Sequence, residues 1–229
     1  MKEKPILFSG PMVRAILEGR KSMTRRAVKP HVSADTVRFD YYSADSQWRE
    51  MFVADNLGNL YPKSWSHKCP YGVPGDRLWV RETHGFASGD GPGGDPTSWV
   101  EYRADGESDE IRRWRPSIFM PRWASRITLE VTGVRVERLR EISERDAERE
   151  GVYRIPAGTD EDGFHYDASD YRSAFVQLWD SINGRGVRKI IGDGTVQTHN
   201  KKHREEKPDV SWAANPWVWV VEFMRVDQA

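Results

Sequence analysis

Lys21, Ser22 and Thr24 fall within four positions of one another in the run 16–26, ILEGRKSMTRR, with Arg20, Arg25 and Arg26 flanking them. A threonine hydroxyl is inert at its own pKa and needs a neighbouring base. Lys21, three residues before Thr24, can serve as that base if desolvation or nearby cations lower its pKa. The same run also reads as a capped helix with a solvated basic end, which asks no chemistry of it. A second candidate pairs Glu82 with His84, two residues apart on a strand face shared with Val80. These types exchange protons or bind metals, but no third ligand accompanies them and no metal site is assigned. A third lies between 111 and 139, where Arg112, Arg113, Arg115, Arg122 and Arg126 interleave with Trp114, Phe119 and Trp123. Cations beside flat rings suit a groove that holds phosphates and stacks bases. Equally, the rings can be core and the arginines can snorkel around them. The basic segment 184–212, with Lys201, Lys202 and Arg204, is either ordered by a nucleic acid or a disordered insertion.

These residues need elements to position them. Residues 5–8 are a short apolar run suited to an opening strand. Ser9 can cap a helix over 10–19, with Pro11 in its first turn, where a missing N–H costs nothing. Met12, Val13, Ile16 and Leu17 recur at helical spacing, and Gly19 suits the left-handed residue that closes such a helix. Pro74, Gly75 and Asp76 form a turn, after which Leu78 and Val80 alternate with Trp79 and Arg81 in a strand running to 84. Residues 99–103 suit another strand. From 127 to 136 the alternation breaks phase at Gly133, as in a strand with a bulge. Residues 141–152 form a short charged helix, capped by Ser143 and closed by Gly151. Ala174, Phe175, Leu178, Trp179 and Ile182 give 170–183 one apolar helical face. Residues 215–226 read as a buried closing strand. The stretches 32–68, with one hairpin, 85–98, 154–169 and 185–211 are read as insertions in a single domain spanning 1–229.

Composition narrows the classes. The chain has 229 residues, and 35 Lys and Arg balance 35 Asp and Glu, so overall charge marks no general polyanion binder. Any grip on nucleic acid has to come from local clusters. A mean hydropathy of -0.74 and 31% charged residues point to a soluble chain. Ten tryptophans fill a core or offer stacking faces. The single cysteine, Cys69, excludes an internal disulfide. With no long apolar run and no signal-peptide pattern, a cytoplasmic protein without a membrane partner is expected.

The run 16–26 resembles the signature of the ASCH family, a branch of the PUA-like β-barrels, at Gly19, Lys21, Ser22, Met23, Thr24 and Arg26. Thr24 sides with a subset resembling N(4)-acetylcytidine amidohydrolases. The turn at Gly75 and Asp76, the strand and helix at 125–151 and the final helix and strand extend the likeness. The WVRETHGF and NPWVWVVEF stretches also resemble larger ASCH-type proteins of phages and prophages. The resemblance implies an α+β fold: a mostly antiparallel PUA-like barrel with flanking helices, one of them (10–19) covering a mouth. It implies a catalytic acid on the short helix, Glu150, with Glu148 as the alternative half a turn away. The expected site then has Lys21 as base, Thr24 as nucleophile and Glu150 as proton donor, with Arg20, Ser22, Arg26, Glu82 and Trp79 as substrate contacts. Arg113, Arg122, Arg126, Lys201 and Lys202 are the nucleic-acid contacts. No cofactor is called for. The implied reaction removes an acyl group from the exocyclic amine of N(4)-acylated cytidine, as nucleoside or in a nucleic acid. The alternatives are a non-catalytic module binding single-stranded RNA or a modified base, and a ribonuclease, for which no persuasive His pair is present. Alanine at Lys21, Thr24 or Glu150 is expected to leave the fold intact, as for exposed polar groups.

Overall fold

The computed structural model describes residues 1–29, 36–42, 48–54, 60–67, 69–87, 99–111, 113–154, 158–159, 165–166, 170–183 and 209–226. The first half of the chain runs through β1 (Glu3–Leu7), α1 (Gly10–Leu17), β2 (Met23–Ala27), β3 (Thr36–Tyr42), β4 (Trp48–Ala54), β5 (Leu60–His67), β6 (Arg77–Arg81), β7 (His84–Phe86) and β8 (Val100–Tyr102). It continues through β9 (Thr128–Arg138), α2 (Glu144–Arg149), the short β10 (Gly158–Thr159) and β11 (His165–Tyr166), α3 (Tyr171–Asn183) and β12 (Trp217–Val226). This is a mixed α+β chain. Among the described residues no helix is long and apolar enough to cross a membrane.

The main sheet has the order β1-β6-β9-β12-β2. Its neighbours are antiparallel except for the parallel pair β1–β6. Opening, long and closing strands therefore share one sheet, as expected. Backbone pairing leaves β1 and β2 as its edges, so the described hydrogen bonds form an open sheet and not a closed barrel. A side chain reaches between those edges: Arg26 Nη2 donates to the Leu7 carbonyl at 2.7 Å.

β12 runs through the middle of the core, and its composition explains why. Trp217, Trp219, Val221 and Phe223 join Ile6, Phe8, Val13 and Ile16 on one face. Val218 and Val220 join Met23, Leu139, Ala147, Phe175 and Trp179 on the other. A strand covered on both faces has no polar side to show, so its sequence is a near-continuous apolar run. Each fully buried valine of this kind contributes about 1.5–3 kcal/mol. The bulge expected near Gly133 is present: Glu222 pairs with Gly133 and Phe223 with Val131, leaving Thr132 as the extra residue.

Other expectations need correction. The segment 32–68 holds three antiparallel strands, β3-β4-β5, where one hairpin was expected. The strand from Gly75 does not run to His84; β6 stops at Arg81, and β7 pairs with β8 in a separate sheet. Strand β2, which carries the central motif, was not anticipated, because RKSMTRR has no apolar alternation. It is held by its pairing with β12. Ile182 lies on the rim of the α3 face and is 52% exposed, unlike Ala174, Phe175 and Trp179. Ser9 occupies the cap position of α1 with extended backbone but makes no side-chain capping bond.

Candidate active site

Two helix ends meet to build the site. α1 closes through Gly19 at φ +75, and the backbone N–H groups of Arg20 and Lys21 both donate to the Ala15 carbonyl at 2.9 Å. This tight cap turns Lys21 inward. α2 starts at Ser143, whose Oγ accepts from the Asp146 N–H at 3.1 Å, and ends at Glu150. Gly151 follows at φ +81. A Cβ there would stand 2.8 Å from the Cβ atoms of both Ala15 and Lys21. Glycine thus allows the end of α2 to close on the residue after α1. The Ser22 N–H donates to the Arg149 carbonyl at 3.0 Å and joins the two ends.

Across this junction Lys21 Nζ donates to Glu150 Oε2 at 2.8 Å and to the Glu150 carbonyl at 2.7 Å. Both side chains are buried. Burial pushes the Lys21 ammonium below its ordinary pKa, while the Glu150 carboxylate opposes that shift. Arg25 and Arg26 add a smaller push in the same direction as burial. The amine lies 5.6 Å from the centre of the Phe8 ring, and the Arg26 guanidinium lies 5.3 Å from the same ring.

Thr24 sits on β2, opposite Val221 of β12, and is buried. Because β2 is a sheet edge, its other side is open, and a cavity of about 500 Å³ occupies that space. Thr24, Arg25, Arg26 and Glu150 line it, with Tyr71, Phe175 and Trp179 among its walls. Arg26 Nε is buried without a hydrogen-bond partner among the described residues. A donor left unsatisfied beside a cavity is costly unless something enters to accept from it.

Thr24 and Glu150 therefore face one cavity, and Lys21, which does not itself line it, bonds to Glu150. Glu148 is exposed on the far side of α2, so Glu150 is the acid that meets the lysine. The other expected contacts scatter. Arg20 turns outward, donating to Glu18 Oε2 and the Gly151 carbonyl at 2.8 Å each and covering the Tyr153 ring. It braces the junction and does not line the cavity. Ser22 Oγ accepts from Arg149 Nε at 3.1 Å. Glu82 is buried against Arg126 through two bonds of 3.0 Å, and burial raises its pKa against the pull of Arg126. Trp79 is buried beneath Arg81 and Arg122. Neither Glu82 nor Trp79 lines the cavity with Thr24.

Among the arginines expected to meet nucleic acid, Arg122 pairs with Glu3, and Arg126 pairs with Glu82 and Asp105. Arg113 is exposed. Lys201 and Lys202 lie outside the described residues. His84 is buried and, through burial, held below its ordinary pKa. It has no metal-binding company: no group of three or more His, Cys, Asp or Glu side chains able to hold a metal occurs among the described residues.

Sequence reasoning missed the part played by Arg25. Its guanidinium is fully buried and reaches Glu137, Asp146 and Glu150. Arg135 and Arg149 extend the network to Glu222. The partners of Arg25 itself come from β9 and α2, more than a hundred positions away, so no local spacing could announce it. No protein-family model matches the chain, and no curated protein or solved structure does so either.

Proposed function

We propose that this chain is an amidohydrolase that removes the acyl group from the exocyclic amine of an N(4)-acylated cytidine, on a PUA-like barrel of ASCH type. The observation that carries the reading is the 2.8 Å contact between Lys21 Nζ and Glu150 Oε2 at the wall of the cavity that Thr24 also lines. A volume of about 500 Å³ falls within the range of small-molecule sites. Its aromatic walls suit a flat pyrimidine. For the fold, the support is the single sheet that gathers opening, long and closing strands, with α1 linking its two edge strands.

The pair supplies base and acid by one internal proton shift. When the Lys21 ammonium gives its proton to Glu150, it becomes a neutral amine and Glu150 a carboxylic acid. Burial favours that direction, because two charges removed from water are expensive. The amine then takes the Thr24 proton as the hydroxyl oxygen adds to the acyl carbonyl. Glu150 protonates the exocyclic nitrogen as the C–N bond breaks, and cytidine leaves. Water cleaves the acyl-threonine ester, releasing the carboxylic acid and restoring Thr24. Incubation with N(4)-acetylcytidine, followed by chromatography for cytidine, tests the reading. The wild type should produce cytidine and Thr24→Ala should not; a wild type without turnover refutes the hydrolase.

A second reading, a module that binds single-stranded RNA, is favoured by one observation. Phe119 and Trp123 are 69% and 55% exposed, and Trp123 lies 5.5 Å from Phe86, which Arg115 covers at 4.6 Å. Exposed rings with a neighbouring cation are what base stacking uses.

A further inference from the structure

We propose that Arg25 is a positioning residue for Glu150. It clamps the carboxylate so that one oxygen stays on Lys21 and the other is held from behind. The catalytic consequence rests on the amidohydrolase reading, whereas the clamp itself rests on geometry.

Glu150 offers two oxygens, and each has one cationic partner. Oε2 takes Lys21 Nζ at 2.8 Å, and Oε1 takes Arg25 Nη1 at 3.3 Å. A carboxylate held at both oxygens cannot rotate about its terminal bond without losing one of them. Arg25 can act as a fixed post because its own position is over-determined. Its Nε and Nη2 donate to Glu137 Oε1 at 3.0 and 2.5 Å, and Nη2 also donates to Asp146 Oδ2 at 2.9 Å. A planar guanidinium bonded along two edges keeps its third edge in a set direction. The Phe175 ring, 6.0 Å from its central carbon, packs beside it.

The same anchors set the charge. Glu137 and Asp146 pair with Arg25 and are shared with Arg135, so Glu150 meets a donor whose field is already partly answered. Arg25 can then orient Glu150 without forbidding the proton shift from Lys21. The charged groups around Glu150 are Lys21, Arg25 and Arg26 on the β2 side, Asp146 on its own helix, and Glu137 with Arg135 from β9. Phe175 and Trp179, from α3, bring no charge.

The sign of the coupling separates this role from general support of the fold. Removing the cation should raise the Glu150 midpoint, and removing an anion behind it should lower that midpoint. The Glu150 carboxyl carbon, identified by its loss in Glu150→Gln, is followed by 13C NMR titration in full-length wild type, Arg25→Gln and Glu137→Gln. The expected result is a shift to higher pH in Arg25→Gln and to lower pH in Glu137→Gln. Turnover of N(4)-acetylcytidine by Arg25→Gln should fall roughly 100-fold in kcat with KM little changed, the scale of a misplaced catalytic group. Arg25→Lys should restore the midpoint in part but not the rate, since a lysine cannot bond along two edges. If Arg25→Gln does not fold, Glu137→Gln alone decides by the sign of its shift. An unmoved midpoint, or shifts of the same sign in both variants, overturns the proposal. A wild type that hydrolyses no N(4)-acylcytidine refutes the amidohydrolase reading, while the titration still decides the role of Arg25.

Discussion

Lys21 Nζ donates to both the side-chain Oε2 and the backbone carbonyl of Glu150, at 2.8 and 2.7 Å, across 129 positions of sequence. One amine thus serves as the C-terminal cap of α2 and as partner to a buried carboxylate. Structure and candidate chemistry share the same atoms, which sets what substitutions there should do.

Glu150→Leu should destabilise the protein by about 3–5 kcal/mol, since it leaves the Lys21 charge buried without its counter-charge. Lys21→Met should cost less, because Glu150 keeps Arg25. The expectation from sequence that such truncations spare the fold assumed exposed groups, whereas Lys21, Thr24 and Glu150 are buried. The double variant should recover much of the loss. Urea denaturation of the three variants checks it, and a double variant no more stable than Glu150→Leu would refute the pairing.

Thr24→Ala should cost turnover on the order of 1,000-fold or more, as loss of a nucleophile does, with a stability change of about 1 kcal/mol. Thr24→Ser keeps the hydroxyl and should retain part of the rate. Steady-state kinetics on N(4)-acetylcytidine beside thermal unfolding separates the two effects. Full activity in Thr24→Ala would remove the nucleophile.

Gly151→Ala should destabilise by about 1–3 kcal/mol, because its Cβ meets two other Cβ atoms and its φ disfavours side chains. The contact is at 2.8 Å and one partner is Lys21 itself, so activity should fall as well. Unfolding and kinetics on the same preparation test both halves. A neutral Gly151→Ala would mean that the helix ends do not approach this closely.

Stability should depend on pH through Lys21. Its folded pKa is lowered from 10.5 by burial, so at pH values between the two the unfolded chain binds more protons than the folded one. Unfolding free energy from this group therefore rises as pH climbs from the folded pKa towards the unfolded one. Below that window the cost of burying the charged amine is fully present. Urea midpoints measured on the alkaline side should climb in wild type relative to Lys21→Met, and identical slopes would contradict the shift.

If single-stranded RNA binds, Phe119→Ala and Trp123→Ala should each weaken binding by about 1–3 kcal/mol, the worth of one stacked base. Arg113→Ala should reduce the salt dependence as well as the affinity. Filter binding at several salt concentrations reads both. Unchanged binding in all three variants would return these side chains to ordinary surface. Charge reversal at Lys201, Lys202 and Arg204, which lie outside the described residues, extends the same test.

The sequence alone determined the elements whose signals are local. Period and punctuation marked α1 between Ser9 and Gly19, α2 between Ser143 and Gly151, the apolar face of α3 and the buried run of β12. Each depends on neighbours a few positions apart, or on a residue type that one backbone conformation requires. Lys21, Thr24 and Glu150 were named from a motif and its resemblance, and their types are legible in the chain. Only the tertiary structure decided that Glu150, and not Glu148, faces Lys21, because half a helical turn is resolved by what α2 packs against. It likewise made a strand of Met23–Ala27, since pairing with β12 outweighs a sequence with no strand pattern of its own. The burial of Lys21 and the clamp of Arg25 on Glu150 have the same origin. Both arise where segments more than a hundred residues apart exclude water from charges, and no spacing along the chain encodes that exclusion.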